Sequence, residues 1–377
     1  MNSTLIETLA GINKSYGTDT VRFGLALERV PRIPFTSVRA NYITYGGIPI
    51  GRSTEMFGPE NGGKSTTALD LVGQAQKQCV QEHQVSLVEL KKALEKKMSP
   101  KDRQALESKL EETQEYGPRS VLYVDTEHTL DYAWAEKLGV DINSLLVLDP
   151  KEARSAEEIL QATLDLVDTG AIKLLVIDSI PMLVPQTLVG ESLEKKSYGG
   201  IAGVLTQFAN RMAPKLAKYQ TAMILINQVR EDLSNPYNMF RTPGGKAVKH
   251  LASVRLYVRK GPYIDADNKE LKASEERPYG NIVELQVIKT KVFPPDRRVG
   301  SYTLHYEHGI DRIGDLLLMG AYLGRVEQAG AMYTLPRRSD ADDELKFRGR
   351  AAALAYLRSD KAYLNWFEDD INSLITQ

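Results

Sequence analysis

One octapeptide, Gly58-Pro-Glu-Asn-Gly-Gly-Lys-Ser65, constrains the fold more than any other part of the chain. It fits G-x-x-x-x-G-K-[ST], a pattern that carries meaning only between a strand and a helix. Both flanks comply: Arg52–Phe57 reads as a strand running in, and Ser65–Leu71 as the helix running out. The glycines let backbone N–H groups close around phosphate oxygens, and the helix N-terminus adds positive partial charge. The expected nucleotide cradle is Gly58, Pro59, Glu60, Asn61, Gly62, Gly63, Lys64 and Ser65, with Thr66 beside them on the first helical turn. Lys64 is placed to reach the β- and γ-phosphates, and Ser65 to hold Mg²⁺. A Gly-rich turn that matches by chance is the alternative, and the complete motif in its full setting disfavours it.

The rest of the chain suits such a core. At 377 residues, 42% hydrophobic and 26% charged, it has the composition of a globular protein with room for a large domain and smaller appendages. The net charge of −1 gives no overall basic signal, so nucleic-acid binding must rest on local patches. The single Cys79 excludes internal disulfides and Cys-based zinc sites and suits a reducing cytoplasm. No apolar run approaches the length of a membrane span, and the first residues lack the pattern of a signal peptide, so no membrane partner is expected.

Near-continuous apolar runs separated by helical patterns predict a parallel sheet covered on both faces. The strands are Ser120–Asp125, Leu145–Leu148, Ile172–Asp178 and Thr221–Asn227, with a helix over Glu157–Val167. Val254–Val258, Asn281–Lys291 and Gly300–Tyr306 follow without long helices between them and read as antiparallel strands extending the sheet. Residues 4–15 predict an amphipathic helix with Leu5, Leu9 and Ile12 on one side. Thr20–Phe23 looks strand-like, and Pro31–Asn41 reads as an extended linker. From Ile313 a small α+β module is expected, with helices near 314–323, 348–358 and 361–375. Residues 76–116, rich in Lys, Glu and Gln, predict a protruding helical hairpin. Leu87, Leu90 and Leu94 form one stripe, Leu106 and Leu110 a second, and Ser99-Pro100 is an N-cap followed by proline at the first helical position. Surface decoration is its plainest use.

Three polar strand ends complete the chemistry. Asp178 follows Leu174–Ile177, where a carboxylate can orient Mg²⁺; an N-cap aspartate is the alternative. Glu127 follows the strand ending at Asp125 and could take a proton from water, although acids after strands are common. Gln228 could sense a γ-phosphate and pass its presence to the segment that follows. Lys289 and Lys291 alternate on one strand face, so both could meet one phosphate, or both could simply be solvated. His305 and His308 lack a third ligand and read as strand-end residues.

Asp125–Asp131, Val176–Ser179, Ile226–Arg230 and Gly244–Lys249 occur in the order, and at the strand ends, seen in RecA-type recombinases. The resemblance includes Glu60 and the segments Tyr45–Gly51 and Gly330–Tyr333. It runs from about Ile12 to the last helix, interrupted at 76–116. It implies an α/β fold with a RecA-like P-loop ATPase core and a mostly parallel central sheet over 41–312. A polymerisation segment would occupy 1–40 and a small α+β C-terminal domain 313–377. It further implies an ATP- and Mg²⁺-dependent, DNA-dependent ATPase. Such a protein binds single-stranded DNA as a helical filament and exchanges strands with homologous duplex DNA in recombination and repair. Loader or single-strand-binding proteins are further partners of such a system.

By the same resemblance Glu127 activates water, with Lys64 and Gln228 beside it, and Lys289 and Lys291 reach the nucleotide of the adjacent subunit. Ser65 and Asp178 hold the metal. Asp131, Trp134 and Tyr306 lie at the base. The first DNA loop, about 190–200, holds Lys195, Lys196, Tyr198, Gly199 and Gly200, and Arg211 follows it. The second, about 230–249, holds Arg230, Asn235, Tyr237, Met239, Phe240, Arg241, Gly244, Gly245 and Lys246. Both loops mix basic and aromatic residues, which suits phosphate and base contacts, though an ordinary surface loop would look similar. Val204, Trp134, His250 and Gly199 depart from the family's usual residues, and with the insertion they suggest a divergent, phage-encoded member. The rival readings are a hexameric helicase-like motor and a filament scaffold that regulates a partner.

Overall fold

The computed structural model describes residues 3–16, 21, 30–150, 154–190, 200–231, 240–271, 277–339 and 343–376. Residues 1–31 form a unit of their own, with a helix α1 (Ser3–Tyr16) on which Leu9 and Ile12 are half-buried and Leu5 is exposed. The side chain of Asn13 bridges to both backbone groups of Val21, at 2.8 and 2.9 Å. Of the expected strand at 20–23, only Val21 falls within the described residues, and it forms a bend.

The second unit spans 32–377, and its first residues are not the extended linker that the sequence predicts. The expected linker contains β1 (Arg32–Ile33) and the start of a helix, α2 (Val38–Thr44). Ser37 caps α2 by accepting from Ala40 N at 3.0 Å, and its hydroxyl donates to Asp315 at 2.6 Å. The cap, and a carboxylate far along the chain, outweigh the breaking effect of Pro31 and Pro34. β2 (Ile48–Pro49) pairs with β1.

β3 (Ser53–Gly58) enters the P-loop, and α3 (Lys64–Leu94) leaves it as one helix of 31 residues. It runs directly into the hairpin, whose second arm is α4 (Pro100–Tyr116), capped by Ser99 as expected. α4 has no buried residue, so it is a solvated arm. Then follow β4 (Ser120–Asp125), α5 (Tyr132–Lys137), β5 (Leu145–Leu148), α6 (Ala156–Asp168) and β6 (Ile172–Asp178). Next come α7 (Gly200–Tyr219), β7 (Ala222–Gln228), the short strands β8 (Arg230–Glu231) and β9 (Phe240–Arg241), and α8 (Gly245–Leu251). β10 (Ala252–Ile264), β11 (Gly280–Thr290), β12 (Val299–His305) and β13 (Gly309–Ile310) end the core.

Among the described residues, nine strands form one sheet in the order β13-β12-β11-β10-β3-β7-β6-β4-β5. Parallel pairing extends from β5 through β10, one strand further than the sequence reading placed it. β10 runs parallel to β3 because α8 supplies a crossover before it; only β11, β12 and β13 alternate in direction. Successive residues of the central strands point to opposite faces and both are buried. Tyr123, Val176 and Ile224 pack under α3, while Leu122, Val124, Leu175 and Ile177 pack under α6 and α7. Burial on both sides explains why these strands are apolar without alternation.

α9 (Arg312–Tyr322), β14 (Glu327–Ala329), β15 (Met332–Leu335), β16 (Leu345–Arg348), α10 (Arg350–Ser359) and α11 (Lys361–Ile375) follow. They share a third core around Leu316, Leu357, Phe367 and Ile371, to which Val38 of α2 also belongs.

Candidate functional site

Parallel pairing aligns the C-terminal ends of the strands. Gly58 pairs with Gln228, and Asp125 with Asp178, so the P-loop and three polar strand ends share one edge. That edge is where open α/β sheets bind ligands. A cavity of about 840 Å³ opens there. Its walls include Glu60 to Thr66, Glu127, Trp134, Asp178, Gln228 and Tyr306, all of them expected from the sequence. Gly63 begins α3 with φ of 92°, and a Cβ on Gly58 would lie 1.9 Å from the carbonyl oxygen of Val258, so neither position accepts a side chain readily.

Lys64 is buried and donates to the carbonyl of Pro59 at 2.6 Å; burial lowers its pKa, opposed by the nearby carboxylates of Asp178, Glu127 and Glu60. Asp178 accepts from the Tyr123 hydroxyl at 2.6 Å and from Ser65. Burial raises its pKa, and those two hydrogen bonds oppose the rise. Glu127 accepts from the Ser179 hydroxyl, and its own N–H donates to Asp125 at 3.2 Å. Asp125 also accepts from Leu130 N at 2.9 Å, so it folds the loop that presents Glu127. Thr126 and Ser179 exchange two hydrogen bonds, 2.8 and 2.9 Å, that lock this loop to the end of β6.

The Trp134 indole N–H, also at the cavity, donates to Thr66 at 3.3 Å. Asp131 is not part of the wall: it caps α5, accepting from Trp134 N at 3.0 Å, and so holds the helix that carries the indole. The Tyr306 hydroxyl donates to Asn281 at 3.0 Å. Lys260 and Asn281, absent from the sequence reading, also line the cavity. β10 continues past the last residue of β3 and carries Lys260 alongside the P-loop.

Lys289 and Lys291 do not line this cavity. Lys289 donates to the carbonyls of Lys249 and Ala252, at 2.5 and 2.8 Å, and Lys291 to that of His250 at 3.1 Å. Both cap the C-terminal end of α8, where cations are favoured. Burial, and Lys291 next, lower the pKa of Lys289. His305 bonds to Asn268 at 2.7 Å, and Tyr279 packs against both His305 and His308.

Of the expected DNA-contacting residues, Lys195, Lys196, Tyr198, Gly199, Asn235, Tyr237 and Met239 lie outside the described residues. Gly200 opens α7, and exposed Arg211 on the same helix donates to Gln161 at 2.9 Å. Backbone pairing of Arg230 with Arg241, and of Glu231 with Phe240, closes the base of the second loop. Gly244, with φ of 89°, starts α8, followed by Gly245 and Lys246.

The family model of the RecA N-terminal domain matches residues 3–108 and 96–311. The chain belongs to the RecA family. Its relatives include the RecA proteins of Thermus aquaticus, 32% identical over 94% of this chain and 89% of that one. The RecA of Chloroherpeton thalassium is 32% identical over 90% of this chain and 80% of its own. That of Bacillus licheniformis is 29% identical over 98% and 91%. As a RecA-family member the chain is a nucleotide-binding, DNA-dependent ATPase of recombination and repair that binds DNA and forms filaments. No described helix is long and apolar enough to cross a membrane.

Proposed function

We propose that the cavity at the P-loop binds ATP with Mg²⁺, and that its hydrolysis governs assembly on single-stranded DNA for homologous pairing and strand exchange. The observation that carries this reading is the convergence of Lys64, Glu127, Asp178 and Gln228 at one sheet edge. The Ser65 hydroxyl and the Asp178 carboxylate, already bonded to each other, form a pair of hard oxygen donors that fits Mg²⁺. When bound there, Mg²⁺ neutralises phosphate charge and orients the oxygens. Lys64 exchanges the Pro59 carbonyl for phosphate oxygens. Glu127, its carboxylate fixed by Ser179, accepts the proton of the attacking water. Trp134 and Tyr306 flank the base, and Asp131 sets the helix bearing Trp134.

Gln228 meets the γ-phosphate and ends β7 where the second DNA loop begins. Losing that phosphate removes its partner and releases the loop. Lys289 and Lys291 serve the nucleotide of the next subunit, as arginine fingers serve other P-loop enzymes. Residues 1–40 join subunits, 41–312 form the ATPase core and 313–377 collect duplex DNA. Loader and single-strand-binding proteins act as partners in the cytoplasm of a bacterial cell.

The test is joint-molecule formation between circular single-stranded DNA and homologous linear duplex. Joint molecules should appear with ATP and be absent for Lys64→Ala. Hydrolysis of ATP without any joint molecules would remove the strand-exchange reading.

A further inference from the structure

A buried polar row crosses the centre of the sheet behind the P-loop. Glu55, three residues before Gly58, is fully buried, and its carboxylate is paired: it accepts from Arg255 Nε at 2.5 Å and from Asn227 Nδ2 at 3.0 Å. Arg255 stands directly beside Glu55 in the parallel register and opposite Lys289 in the antiparallel one. Its guanidinium lies 4.4 Å from the centre of the Phe57 ring, the residue that enters the P-loop.

Asn227 is also fully buried, and every hydrogen-bonding group of its side chain is used. Nδ2 donates to Glu55 and to the carbonyl of Pro243 at 3.0 Å, and Oδ1 accepts from Gln228 N at 3.0 Å. Gln228 and Pro243 flank the β8–β9 pair, so one amide ties together the two feet of the second DNA loop. A buried ion pair is usually no more stabilising than apolar residues of the same shape. Its presence here therefore calls for a role in positioning rather than in stability.

We infer that Glu55 is a positioning residue for coupling nucleotide to DNA, acting through Asn227 on both feet of the second loop and through Arg255 on the strand pair that carries Lys289. This rests on the proposed roles of Gln228 and the loop. A shift of Gln228 toward a γ-phosphate pulls on the Asn227 amide, because Oδ1 holds the Gln228 N–H. The same amide then moves the Pro243 carbonyl and its hold on Glu55. Rigid coupling of this kind needs the carboxylate as an anchor; an apolar residue at 55 would leave the amide free to turn.

The test uses two full-length variants, Glu55→Gln and the apolar double variant Glu55→Leu/Arg255→Met, which avoids leaving an unpaired buried charge. Three quantities are measured: fluorescent ATP-analogue affinity, thermal melting, and oligo(dT) affinity with ADP and with a non-hydrolysable ATP analogue. Both variants should melt cooperatively and bind the analogue as the parent does. Their gain in oligo(dT) affinity on replacing ADP by the analogue should fall about tenfold, the scale of such couplings. An unchanged gain in a folded variant overturns the inference, and so does loss of cooperative melting in both, which would make the row purely structural. If the parent chain itself gains no affinity with the analogue, the underlying reading of Gln228 falls with it.

Discussion

Glu127 shows how much of a proposed catalytic position lies in its surroundings. Its place after a strand was legible, but acids after strands are common; what distinguishes it is the Ser179 hydroxyl bonded to its carboxylate and the Thr126 hydroxyl bonded to both backbone groups of Ser179. These partners come from the end of β6, and only the pairing of Asp125 with Asp178 brings them together. Tyr123, which donates to Asp178, was illegible for the same reason. Glu127→Gln should bind ATP and DNA as the parent does while turnover falls at least about a hundredfold, the usual contribution of a general base. Turnover at the parental rate would take Glu127 out of that role. A second residue gives a pH signature. Asp70 on α3 is buried and accepts from Thr36 N at 3.0 Å, and burial raises its pKa from 3.8 to about 6. The folded state thus holds this proton more tightly than the unfolded one. Its contribution to stability is complete below pH 3.8 and is lost as pH rises through about 6. Two pKa units correspond to about 3 kcal/mol. Relative to the parent, Asp70→Asn should therefore gain stability between pH 4 and pH 7 by roughly that amount, measured by urea unfolding. A difference that does not change with pH would show that Asp70 titrates normally.

At the scale of elements, the periodic segments were legible and the exceptions have local causes. The hairpin could be read from Ser99-Pro100 and its leucine stripes because capping chemistry is local. α2 could not, since two prolines mark its approach and its cap is completed by Asp315 from the other end of the chain. Nor did the sequence disclose that α3 is one continuous helix from P-loop to hairpin, with Lys173 of β6 paired to Glu82 partway along it at 2.6 Å. Lys173 is only 4% exposed, so removal of Glu82 strands a buried charge. Two deletions should consequently differ. Removing 84–114 keeps Glu82 and should leave both ATPase activity and melting near parental values. Removing 80–114 should keep the activity but cost about 2 kcal/mol. Equal melting of the two deletions would mean that Lys173 finds water or another partner.

At the scale of the molecule, the sheet's order places the P-loop cavity at one end of the strands and the lysine pair far from it. Asn281, at the start of β11, touches the cavity, whereas Lys289 is eight residues further along the same extended strand, about 26 Å at ~3.3 Å per residue. Lysine side chains do not span that distance, so within one chain Lys289 and Lys291 cannot serve the P-loop beside them. The sequence told that they share a strand face but not which site they face, because the direction of β11 follows from its antiparallel pairing with β10. The proposed head-to-tail assembly accounts for this geometry: each site would take its P-loop from one subunit and its lysines from the next. Subunit mixing tests this. Lys64→Ala and the double variant Lys289→Ala/Lys291→Ala should each be inactive alone as DNA-dependent ATPases. In an equal mixture on DNA, about a quarter of the interfaces unite an intact P-loop with intact lysines, so about a quarter of parental turnover should return. Lysines acting within their own chain would leave the mixture as inactive as its components, because no subunit in it then carries both halves of the site.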